Sequence, residues 1–177
     1  MNFRKGMWMI LAALLLTPMA AMADKDMAAS KPATTPEFEK MKSLVGNWTG
    51  QCKSGCMAEK NLQVNYKLTA GGTAVLETLA PGTPMEMTTV YHLEKGKLVM
   101  THYCTMGNCP KMTLKKSSDN ELDFEMKGKD GISSLKEAHM HALDIIWKDP
   151  NHISASWISY TNGKANPADP FILTRKN

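Results

Sequence analysis

The feature that most constrains this chain is a change of period at Gly46. Ahead of it, Phe38, Met41, Leu44 and Val45 recur at three- and four-residue intervals, the spacing of one helical face. Beyond it, apolar and polar residues alternate in short runs, and nearly every run ends on a turn pair. The breaks are Gly71-Gly72, Pro81-Gly82, Lys95-Gly96, Asp119-Asn120, Asp149-Pro150 and Asn162-Gly163. The alternation predicts strands near 47–53, 60–69, 73–79, 85–94, 97–104, 111–117, 121–126, 139–148, 152–161 and 170–176. Tight turns join antiparallel neighbours, whereas parallel strands need long crossovers. About ten such strands in succession predict an all-β fold, an antiparallel up-and-down β-barrel. Residues 127–138 break the rhythm and read as a loop or one helical turn over the barrel mouth. Thr35-Pro36-Glu37 reads as a helix start, with a hydroxyl cap, a proline at the first helical position and an acid in the first turn. A short helix of about ten residues is expected to end at Gly46 and plug one end of the barrel.

The N-terminal residues read as a targeting segment. Arg4 and Lys5 precede the uncharged apolar stretch Met7 to Leu16, and Ala21-Met22-Ala23 is a small-residue cleavage signature. Residues 1–23 are therefore predicted to be a signal peptide, residues 24–34 a disordered leader and residues 35–177 the barrel domain, in a periplasmic or secreted protein. The apolar stretch is too short for a permanent membrane span. Removing 23 residues from 177 leaves 154, enough for one core. Two of the 21 Lys and Arg fall in the signal peptide, so against 17 acids the remaining chain carries +2. That balance, without any basic run, argues against nucleic acid as a partner. No oligomeric state is implied.

Strand phase locates the candidate site. A two-residue loop at Lys95-Gly96 sets Leu93 opposite Leu98, Tyr91 opposite Met100, Thr89 opposite His102 and Met87 opposite Cys104. The shared face is apolar, so His102 and Cys104 are predicted inside. The same count sets His139, His141, Leu143, Ile145 and Trp147 on one face, with Met140, Asp144 and Lys148 on the other, so His139 and His141 are also predicted inside. On the next strand either Ile153, Ala155 and Trp157 or the alternate set can face inward.

Imidazoles and a thiol on one interior suit two chemistries. One is a polar lining, with the histidines hydrogen-bonded to Thr89, Glu77 or backbone groups. The other is ligation of haem or a transition metal by His102, His139, His141 and Cys104. Ten methionines follow residue 23, a composition more typical of adaptable apolar walls than of copper handling. Cys52, Cys56, Cys104 and Cys109 form an even set in an exported chain and are disulfide candidates, with all three pairings open. The Cys52–Cys56 spacing is not that of a redox C-x-x-C. Glu77 and Glu86 are the best acids for a general base, yet no G-x-S-x-G, H-E-x-x-H or P-loop is present, so no catalytic residue is assigned and an enzyme is the less favoured reading.

Leu44-Val45-Gly46-Asn47-Trp48, with Arg175 on the last strand, is similar to the calycin superfamily of lipocalins, fatty-acid-binding proteins and nitrobindin-like barrels. The resemblance implies that Arg175 lies over Trp48 and closes the barrel. The chain also resembles a bacterial lipocalin-like family through Gly71 to Glu77, Met85 to His92, Thr101-His102-Tyr103-Cys104, Gly107 to Met112 and His139-Met140-His141. That family usually has Gln where this chain has Cys109, and usually lacks the Cys52 and Cys56 pair. It implies a fold and a site region, not a reaction. The expected function is binding of a small apolar or amphipathic ligand. His102, His139 and His141 would be polar anchors, Tyr91, Met87 and Met100 apolar wall, and Cys104 and Glu77 further lining. The alternative is a haem- or metal-binding barrel using the same histidines and Cys104.

Overall fold

The computed structural model of the chain describes residues 32–51 and 61–176. Helix α1 (Pro36–Lys42) starts as its sequence dictates: Thr35 caps it, accepting from the Phe38 N–H at 3.2 Å, with Pro36 at the first position and Glu37 and Glu39 near the positive end of the helix. It is shorter than the spacing predicts. Its amphipathic stripe nevertheless buries Phe38 and Met41, and Leu44 just beyond them. At Gly46 the backbone takes a φ of 134°, a region that favours glycine, and the first strand begins.

The strands are β1 (Gly46–Gln51), β2 (Leu62–Thr69), β3 (Ala74–Leu79), β4 (Met87–Glu94), β5 (Lys97–Tyr103), β6 (Lys111–Ser118), β7 (Glu121–Met126), β8 (His139–Asp149), β9 (His152–Thr161), β10 (Lys164–Pro167) and β11 (Phe171–Arg175). Each of β1 to β9 pairs antiparallel with the next, β9 also pairs with β11, and β11 pairs with β1. The result is a closed ten-stranded antiparallel barrel. β10 is the strand that alternation missed. It pairs with the far half of β9 (Ile158 to Thr161), while β11 pairs with the near half (His152 to Ala155). The two are halves of one barrel position, interrupted at Ala168-Asp169-Pro170. Proline at both 167 and 170 removes ladder donors there, which explains the weak pattern.

Up-and-down order separates two ends. The turns at 70–73, 95–96, 119–120 and 150–151 gather at the end where α1 sits. Lys40 Nζ bonds to Ser118 O there, and Arg175 N–H to Asn151 O at 2.9 Å. At the other end lie the loops 80–86, 104–110, 127–138 and 162–170. Residues 127–138 form turns rather than a helix. They are tied to the 104–110 loop by Cys109 N–H to Gly131 O (3.1 Å) and by the Asn108 side chain, which donates to Glu137 Oε1 (2.7 Å) and Ala138 O (2.8 Å).

The seam between β1 and β11 matches the closure that the calycin resemblance implies. Trp48 is directly paired with Arg175, whose guanidinium lies 4.3 Å from the indole centroid. Arg175 also donates to Val45 O at 2.7 Å and Ser43 O at 2.6 Å, carbonyls the end of α1 leaves unpaired. The indole N–H donates to Leu44 O at 2.7 Å. A Cβ on Gly50 would sit 1.9 Å from Ile172 O, so the seam closes only around glycine. Among the described residues no helix is long and apolar enough to cross a membrane.

Candidate functional site

Four neighbouring strands place one polar residue each in a row across the barrel interior. Tyr66 on β2 pairs with Glu77 on β3, Glu77 with Thr89 on β4, and Thr89 with His102 on β5. The Lys95-Gly96 hairpin sets the last pairing as counted, with Leu93 opposite Leu98 and Tyr91 opposite Met100. All four members of the row are buried. Tyr91 enters from the adjacent position on β4, its hydroxyl donating to Glu77 Oε2 at 2.6 Å, and its ring meets Phe124 edge-on. Thr89 Oγ1 is 2.9 Å from His102 Nδ1.

Burial decides the electrostatics of this row. The Glu77 carboxyl is pushed up from 4.5 to about 7, chiefly by desolvation, against hydrogen bonds from Tyr91, Thr89 and Tyr66 that favour the anion. Near neutrality Glu77 is thus poised between acid and carboxylate. Burial, then the charge of Glu77, pushes the Tyr66 and Tyr91 hydroxyls up, so both remain donors. His102 is driven from 6.5 down to about 4 by desolvation and is neutral at physiological pH. Its ring leans on Trp157 at 4.6 Å between centroids, and its Nε2 has no hydrogen-bond partner among the described residues.

Toward the loop end the lining becomes sulfur-rich. Met87 is buried, and Cys104 Sγ and Thr105 Oγ1 each approach its sulfur at 3.8 Å. The expected juxtaposition of Met87 and Cys104 is therefore made. Met100 and Tyr91 are fully buried, completing the wall. A Cys104–Cys109 bond is not made among the described residues, and Cys109 is exposed. Cys52 and Cys56 lie outside the described residues.

His139 and His141 are where the strand count fails. The ladder between β8 and β9 slips between Met140 and Ala142, so one extra residue is inserted there. Beyond the slip, Leu143 and Ile145 face the core opposite Trp157 and Ala155, as counted. Before it, Met140 packs against the core. His139 and His141 flank it on the opposite side, against Tyr160, with ring centroids 5.8 and 4.0 Å away. They lie together against Tyr160 toward the loop-end rim, His139 fully buried and His141 partly exposed, rather than beside His102. The two rings adjoin, His139 Nε2 lying 3.1 Å from His141 Nδ1, and His139 Nδ1 lies 2.7 Å from Glu137 O. Burial, then His139, lowers the pKa of His141. Among the described residues no three His, Cys, Asp or Glu side chains gather as a metal centre would need, so the four-residue constellation of His102, Cys104, His139 and His141 is not assembled.

Two participants were not singled out from sequence. Tyr66 was legible in principle, since it shares a face with Leu62 and Val64. Trp157 was undecided between two phases, and the structure sets it inside with Ile153 and Ala155. No protein-family model matches the chain, and no curated protein is found to be similar to it.

Proposed function

We propose that this chain is an exported, calycin-like barrel that binds a small apolar or amphipathic molecule through the loop end. The polar end of the ligand would meet His102 and the Glu77 network, and its apolar part would lie against Met87, Met100 and Tyr91. The observation that carries the reading is the unpartnered His102 Nε2. A buried polar atom without a partner costs about 1–3 kcal/mol, so it marks a position where a bound group is favoured. The depth of Glu77 supports the same reading, because a carboxyl poised near 7 can accept from or donate to a ligand head. Export rests on residues 1–23, and calycin membership on Trp48, Arg175 and the ten-stranded closure. Haem or metal ligation by the full set of histidines with Cys104 is disfavoured by the separation of His139 and His141 from His102.

The test is native mass spectrometry of the chain purified from its own compartment, before and after denaturation. It is paired with imidazole NMR during addition of dodecanol or dodecanoate. A bound mass released on denaturation, or a shift of the His102 Nε2 resonance that Met100→Ala weakens, is the expected result. An apo mass with no shift at His102 overturns ligand binding. N-terminal sequencing checks export: the processed chain should begin at Asp24.

A further inference from the structure

We propose that the Thr89 hydroxyl couples Glu77 to His102, so that the charge on Glu77 decides which ligand heads the barrel accepts. With Glu77 ionised, His102 Nε2 offers a lone pair and takes hydrogen-bond donors such as hydroxyls. With Glu77 protonated, Nε2 carries a hydrogen and takes acceptors such as ketone carbonyls. The inference rests on the reading of His102 as the polar anchor of the ligand and adds the class of head group.

The number of hydrogens along the row sets its direction. A carboxylate only accepts, so in the ionised state Tyr91, Tyr66 and Thr89 all donate to Glu77. Thr89 has one hydroxyl hydrogen, so its oxygen then accepts from His102 Nδ1, 2.9 Å away. The ring is neutral, which leaves Nε2 bare, and Nε2 is the buried nitrogen without a partner among the described residues. In the acid state the order reverses. The Glu77 hydrogen goes to Thr89, the Thr89 hydrogen goes to Nδ1, and the ring hydrogen stands on Nε2. Donation to Tyr91 instead would turn that phenol's hydrogen away from the carboxyl it bonds at 2.6 Å.

The two states differ by one proton taken from solvent. It bonds to Nε2, the Nδ1–H bond breaks as a new Thr89 O–H bond forms, and the former Thr89 hydrogen bonds to Glu77. One N–H and one O–H bond break, one N–H and two O–H bonds form, and His102 stays neutral throughout. Facing Glu77 are Tyr66 from β2 and Tyr91 and Thr89 from β4. Facing His102 are Thr89 and, from β9, Trp157, with the Cys104 thiol two residues further along the chain against Met87. Burial pushes both tyrosines up and His102 down to about 4, so Glu77, at about 7, is the member of the row that changes charge near neutrality.

The experiment reads the His102 tautomer by imidazole nitrogen NMR at about pH 5.5 and about pH 8.5, either side of Glu77 and both above His102. The ring hydrogen should stand on Nε2 at the lower pH and on Nδ1 at the higher. Thr89→Val, which suits a buried strand, should abolish the exchange. Glu77→Gln, whose amide still donates to Thr89, should hold the hydrogen on Nε2 at both. Methyl decyl ketone only accepts, so its affinity should fall about tenfold from the lower pH to the higher, whereas dodecanol, which donates or accepts, should change less than about twofold. A fixed tautomer in the parent chain, exchange that survives in Thr89→Val, or ketone and alcohol with the same pH dependence overturns the proposal. Exchange with neither ligand bound overturns the binding reading together with the selection, and binding without exchange overturns the selection alone.

Discussion

His102 and the His139–His141 pair are the same residue type on the same barrel, and they live under opposite rules. His102 follows a two-residue hairpin whose register passes unbroken from β4 to β5, so alternation carries it to the interior. There it loses water, turns neutral and rests on Trp157. His139 and His141 precede a bulge, and one inserted residue moves them to the other face. There they find each other and a tyrosine instead of the core. A period-two pattern is only as good as the ladder it runs along, and a single bulge reverses every orientation on one side of it.

The comparison is sharpest on β9, where Trp157 supports the interior imidazole and Tyr160, three residues on, supports the rim pair. Trp157→Ala should cost about 3–5 kcal/mol in urea unfolding, as buried aromatic truncations do. It should also raise the pKa of His102 toward 6.5 by admitting water. Tyr160→Ala should cost less than about 1 kcal/mol. Equal costs would mean that the two faces have been assigned the wrong way round.

A smaller effect separates the members of the interior row by pH. The raised Glu77 pKa contributes stability that is complete below pH 4.5 and is lost as pH climbs to about 7. The lowered His102 pKa contributes stability that is complete above pH 6.5 and is lost as pH falls to about 4. Between 4.5 and 6.5 the two slopes oppose, and together they nearly cancel. Glu77→Gln should therefore uncover a stability that rises with pH across that window, and His102→Gln one that falls, each by roughly 3 kcal/mol over its full range. A Glu77→Gln profile parallel to that of the parent chain would remove Glu77 from the titration. The smallest expected effect is on the rim: His141→Ala should change stability by no more than about 0.5 kcal/mol at any pH between 5 and 8.

Most of the architecture was legible because hairpin turns punctuate it. Lys95-Gly96 gave the register of β4 and β5, and with it the inward positions of Tyr91, Met100 and His102. Gly46-Asn47-Trp48 and Arg175 gave the seam. What alternation could not carry were the interruptions. The bulge at His141 has no glycine or proline to announce it. The division of the tenth barrel position into β10 and β11 is visible only through Pro167 and Pro170. The Glu77 row was half legible: Thr89 and His102 came from the hairpin, but Tyr66 needed the β2–β3 register across the longer turn at Ala70 to Thr73.

Arg175 has a consequence for the order of events. It reaches carbonyls 130 and 132 residues earlier in the chain, and the first strand has its second partner only in β11. Synthesis delivers the first strand early and its closing partner last of the barrel strands. Until then β1 presents an unpaired edge, and α1 lacks the guanidinium that holds its final carbonyls. Local hairpins can form as they emerge, but the ring cannot. Closure of the ring therefore waits for the last strand to meet the first.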